Sequence, residues 1–283
     1  MNTYLRFAIL AASLSVPLPA SAGDAVGVVN FQANCAEHLR PDVDHALGMM
    51  HHMMYTQALA EFDSISQKAP GCAAAHWGLA TSLLQPLWGT TPSPAEIARG
   101  REAIGKAREA AEDEREKLLI EATAAFFEPE TEQVRERLSG WIVGMEKAYQ
   151  AFPEDLNVAT LYALSRLTLA LSADDPQALH DEAEHVLRTA WETEPNHPGA
   201  VHYSIHATDA DGRAEHATEI VDSYAEIAPD VPHALHMPSH IYVRLGDWPR
   251  TIEWNRRSAD VARNNKEGDA LSFHYIHAVD YQV

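Results

Sequence analysis

Four histidines stand in two pairs, His202 with His206 and His236 with His240; each pair spans four residues and the pairs are offset by 34 in both members. On an α-helix, residues i and i+4 share a face, so each pair presents two imidazoles one turn apart. Neutral imidazole suits zinc, copper and iron, and helical proteins build metal sites from side chains on facing helices. The pattern predicts a transition metal (Zn, Cu or Fe) held where His202, His206, His236 and His240 converge. Asp209, one turn beyond His206, is a further ligand or the acceptor that fixes an imidazole tautomer. The competing reading is structural: histidines duplicated with their repeat, each hydrogen-bonded to a neighbour.

Other residues extend the pattern. His51 and His52 lie within Met49-Met-His-His-Met-Met54, which reads as a soft-ligand patch for copper or as core methionines at helical spacing. Tyr203 within the first pair, and His274 and His277 near the end, complete the candidate histidine-rich groove. Trp77, Trp88 and Trp248 recur near expected hairpin junctions, where packing is the expected role. The acidic run Glu112–Glu116 reads as a solvated helix end. No phosphate-binding glycine loop, Gly-x-Ser-x-Gly elbow or cysteine-pair metal signature is present, which argues against nucleotide-driven chemistry and serine hydrolysis.

The elements that must position these residues are helices. Apolar residues follow the helical period almost throughout, with segments at roughly 42–54, 73–86, 199–208, 213–227 and 234–245 among them. Alanine is followed twelve residues later by proline at Ala58/Pro70, Ala183/Pro195 and Ala217/Pro229, and the last two pairs are 34 apart. Gly212 and Gly246 share that spacing. Thirty-four residues is the tetratricopeptide period, so residues 23–283 are expected to form an all-α, right-handed superhelical solenoid of helix hairpins. In such repeats the first helix of each hairpin lines the concave groove, which puts the four histidines there. Pro238 lies between His236 and His240 and must kink the helix or start a new one.

The stretches Cys72-Ala-Ala-Ala-His-Trp-Gly-Leu-Ala, Pro86-Leu-Trp88, His202-Tyr-Ser-Ile-His206 and His233-Ala-Leu-His-Met-Pro-Ser-His-Ile-Tyr-Val-Arg-Leu-Gly-Asp-Trp248 resemble those of a bacterial family of exported tetratricopeptide-repeat proteins. The resemblance implies the repeat architecture and no particular activity. Members of that family run on through more helices, whereas this sequence stops within the apolar pattern Ala278-Val-Asp-Tyr-Gln-Val283. A truncated chain is the expectation.

Residues 1–22 carry Arg6, an apolar run from Phe7 to Val16, two prolines and Ala20-Ser21-Ala22. This reads as a cleaved signal peptide and a periplasmic or secreted protein, with no later span for membrane insertion. An oxidising compartment invites a disulfide between Cys35 and Cys72, closing the first hairpin; two buried free thiols are the alternative. The formal net charge of −20 opposes phosphate backbones and anionic lipids, so nucleic acid is not expected as a partner. Three functions remain open on the sequence: first a solenoid binding a ligand, peptide or protein partner in a histidine-rich groove, with a metal-dependent enzyme of oxidation or hydrolysis as the leading alternative, and metal binding without chemistry, for structure or storage, as the third.

Overall fold

The structure is a computed structural model describing residues 25–88, 90–210, 212–263 and 272–282. The expected signal peptide lies outside the described residues. Among those described the protein is all-α, and the hairpins follow one another in chain order. Helix α1 (Arg40–His51) pairs with α2 (Tyr55–Lys68), α3 (Ala73–Ser82) with α4 (Pro94–Ala110), α5 (Glu114–Phe127) with α6 (Val134–Ala151), and α7 (Leu156–Ala170) with α8 (Pro176–Thr193). Then α9 (Pro198–Thr208) is followed by a 3-10 turn (Ala214–Ala217) and the short α10 (Thr218–Val221) and α11 (Tyr224–Ile227). Last come α12 (Pro232–His236), α13 (Pro238–Arg244), α14 (Trp248–Ala262) and α15 (Phe273–Asp280). This is the expected solenoid of tetratricopeptide-like hairpins.

Local chemistry sets the boundaries. Ser93 and Glu96 form a reciprocal capping box at the start of α4, and the side chains of Asp113, Asp155, Asp175 and Asp247 accept from amides in the first turns of α5, α7, α8 and α14. Such caps satisfy donors that a helix start leaves unpaired. Gly212 and Gly246, at φ +79° and +71°, supply the left-handed turn residue that other side chains resist.

First and second helices differ in character. Every residue of α3 is buried, and nearly every residue of α7 and α9; helices apolar all round belong in an interior. In α8, by contrast, the buried residues are the stripe Ala183, Val186, Leu187 and Ala190. The first helices thus form an inner layer and the second helices an outer one.

Two features differ from a plain stack. First, α1 packs against α9 as well as α3, so the inner layer closes on itself. His202 Nδ1 bonds the His51 carbonyl oxygen across 151 residues at 2.6 Å. Gly199 permits this approach: a Cβ there would stand 2.6 Å from His51 Nδ1. Second, the extended segment ahead of α1 ties hairpins together. The Val28 amide donates to Asn196 O, Asn157 Nδ2 donates to Val29 O, and Phe31 stacks on Trp77. The Asn34 amide donates to Glu116 Oε1; Glu116, expected in a solvated run, is buried for that reason, and burial raises its carboxyl pKa.

The segment 213–227, expected as one helix, is broken into three short turns. The helix expected over 234–245 begins at Pro232 and is interrupted at Met237. There Pro238 lacks an amide hydrogen and opens a new helix as its first residue. Cys35 and Cys72 are disulfide-bonded with Cα atoms 4.9 Å apart. No described helix is long and apolar enough to cross a membrane.

Candidate metal centre

The sequence expects four imidazoles at one point; the structure groups six into two triads. His202, His206 and His233 form one, and His236, His240 and His277 the other, the ligand nitrogens of each lying within 4.8 Å of one another. His233 was absent from the sequence-based set because its relation to His202 follows neither the i+4 nor the 34-residue spacing. The break at Met237 brings it in by letting α12 and α13 run as separate helices.

In the first triad, burial pushes every imidazole strongly toward the neutral form. His202 and His233 lie well below the usual histidine value because of burial, reinforced by neighbouring imidazoles, and burial takes His206 down to about 3. The His202 Nδ1 hydrogen donates to the backbone carbonyl of His51, which leaves the Nε2 lone pair facing inward. That Nε2, the Nε2 of His206 and both ring nitrogens of His233 are buried without a hydrogen-bond partner. Unpaired buried polar atoms are costly, and native folds retain few.

The second triad shows the same logic with side-chain tethers. Asn255 Nδ2 donates to Thr251 O, which turns its Oδ1 toward His236 Nδ1 at 2.6 Å; that nitrogen must carry the hydrogen. His240 Nδ1 donates to Asp209 Oδ2 at 2.9 Å. With burial holding His236 in its neutral form, its Nε2 is a lone-pair nitrogen, and it faces His240 Nε2 at 2.9 Å. Two lone pairs at that distance would repel, so the contact calls for a positive charge, either a proton on His240 beside Asp209 or a metal ion held by both rings. Burial would raise the Asp209 carboxyl pKa, but the hydrogen bond and positive charge of His240, then those of Arg244, hold it at about 2. Asp209 is engaged by His240 and by Arg244 Nε at 2.8 Å, the arrangement of an acceptor that orients a ligand. His277 is half-buried, its pKa lowered by burial and by His240.

The remaining candidates fall around these triads. His51 and His52 are fully enclosed beneath α9. His51 hydrogen-bonds Tyr203 Oη at 3.1 Å, and His52 donates to Val26 O while accepting from Tyr224. Tyr203 is 1 % exposed. None of the three faces an open groove, because α1 and α9 pack against each other there. His274 sits edge-on to Trp88 and beside His233, outside either triad, and burial takes its pKa to about 4. Of the methionine patch, Met50, Met53 and Met54 are core; Met53 Sδ also accepts from Trp88 Nε1 at 2.9 Å. Trp248, expected to pack between repeats, is 59 % exposed.

No protein-family model and no curated protein matches the chain. Among solved structures it is similar to human IFIT1, described as a dimer with PPP-AAAA, at 16% identity and a TM-score of 0.49, covering 84% of this chain and 58% of that one. It is also similar to YrrB, described as a tetratricopeptide-repeat protein with an unusual peptide-binding site, at 12% identity and a TM-score of 0.27, covering 85% of this chain and 91% of that one. These likenesses carry no argument about partner or chemistry. The expectation against nucleic acid rests on net charge alone.

Proposed function

We propose that this protein is a transition-metal-binding helical-repeat protein whose metal centre is built from the histidines at the junction of α9 with α12 and α13. The observation that carries the reading is that His236 and His240, each engaged through Nδ1 by Asn255 or Asp209, turn their Nε2 atoms toward each other at 2.9 Å with His277 alongside. The unpaired nitrogens of His202, His206 and His233 repeat that signature. An all-imidazole donor set suits zinc, copper and iron, and copper(II) stands highest in the affinity order. Zinc or copper bound at about 2.0–2.1 Å from each nitrogen would draw the ligand atoms, which now lie within 4.8 Å of one another, closer together. Oxidation or hydrolysis at the metal is the chemistry such a centre would serve.

The setting is an oxidising compartment, supported by the Cys35–Cys72 bridge and by the leader-like residues 1–22. Elemental analysis of protein purified without an affinity tag tests the metal reading. A stoichiometric transition metal is the expected result, and its absence after incubation with zinc and copper refutes it. A second reading, capture of an apolar peptide segment, is favoured by the exposed Trp248, Ile252, Phe273 and Ile276 of the last helices. Binding of such a segment would persist in chelator.

A further inference from the structure

The two triads share a space. A cavity of about 170 Å³ lies between them, lined by His206 and His233 of the first and by His240 and His277 of the second, with Trp88 and Phe273 among its apolar walls. The rings of His206 and His240 are 6.5 Å apart, and those of His233 and His236 are 5.9 Å apart. Three protein ligands leave a tetrahedral ion one open position. Each triad has two of its three histidines on this cavity, so a group bound there is within reach of both.

Charge defines what belongs in it. All six ligands are imidazoles, which bind a metal in their uncharged form, and the nearby carboxylate of Asp209 is already offset by the Arg244 guanidinium. Two divalent ions would therefore bring four positive charges into a largely buried site with no anionic protein ligand. Uncompensated charge in such surroundings is strongly disfavoured. A volume of about 170 Å³ is also well below the roughly 300–1,000 Å³ of pockets for drug-sized molecules.

We infer that the two triads form one dinuclear centre, and that a small anion occupies the cavity and bridges the two ions. The inference rests on the metal-binding reading above and adds to it the number of ions, their proximity and the class of ligand. A pair of ions sharing one exogenous ligand is an arrangement that can clamp a reacting group from both sides.

Copper(II) and azide make the test. Metal-free full-length protein is loaded with copper(II), freed of excess by gel filtration, and analysed for copper per chain; azide is then added and followed by absorption and electron paramagnetic resonance. The expected result is two coppers per chain, one azide per pair, and a resonance signal that integrates to well under the bound copper because the bridged ions couple. His206→Ala and His277→Ala should each hold one copper with a full signal and bind azide at least tenfold more weakly. One copper per chain in the unmodified protein overturns the dinuclear inference and leaves the metal centre standing. Two coppers with a full signal, and azide affinity equal to that of the single variants, also overturn it. No bound copper or zinc removes both readings. The measurements on unmodified protein decide the matter even where a variant fails to fold.

Discussion

The two triads use the same ligand but are held in different ways. His202 is fully buried and tethered by a main-chain carbonyl from α1, and its partner His233 is 5 % exposed. His236 and His240 are tethered by the side chains of Asn255 and Asp209, and the third ligand, His277, is half-buried on α15. A backbone tether locked under packed helices loses little freedom when an ion arrives, whereas side-chain tethers at an edge must be ordered. The enclosed triad should therefore bind more tightly and exchange more slowly than the edge triad.

Four experiments break or sharpen that contrast. The largest effect is expected from His233→Ala, which removes the ligand with two unpaired nitrogens. Chelator competition should show the tight site lost, by more than the roughly 10–100-fold that outer-shell changes cost, with the weaker site retained. Loss of the weak site instead would reverse the ranking.

Acidification comes next. Burial lowers the folded-state values of His52 and His206 to about 3 and of His197 to about 4, below an unfolded value of about 6.5. The unfolded chain then binds more protons, so the stabilising contribution is full above about pH 6.5 and is lost as pH falls toward those folded values. Each such group adds about 1.4 kcal/mol of lost stability per pH unit in that window. Thermal unfolding of metal-free protein between pH 8 and pH 5 should show it; a flat profile would mean these rings are hydrated.

Asp209→Asn should weaken only the edge triad, by roughly 10–100-fold, read as the lower-affinity step of a copper titration. An equal change in both steps would mean that the triads do not hold their ligands independently. The smallest effect is expected from Gly199→Ala, whose methyl would crowd His51 and Thr160 at 2.6 and 3.1 Å. Overpacking of this kind costs about 1–3 kcal/mol, measurable by urea denaturation. It should slow metal uptake at the enclosed triad and leave the edge triad unchanged.

Much of the fold was legible along the chain. The 34-residue spacing of Gly212 and Gly246 located two equivalent turns, and Pro238 marked a break that the structure places at Met237. The i,i+4 pairs His202/His206 and His236/His240 were visible in the sequence, and each falls within one triad. Their partition was not legible, because it depends on a side chain that keeps no period, His233, and on how α15 docks against α12 and α14. The enclosure of His51, His52 and Tyr203 was also hidden, since hairpin periodicity describes neighbours in sequence and says nothing of α1 meeting α9.

Sequence by itself determined most of the helices, the repeat and the presence of paired imidazoles, all properties fixed by residues within a turn or a repeat of one another. Tertiary structure decided which partners the ring nitrogens meet, which of those nitrogens face each other, and that two groups of three border one cavity. Those outcomes depend on groups brought together across as many as 151 residues, and a hydrogen bond or a lone-pair repulsion exists only once both atoms have been placed within about 3 Å.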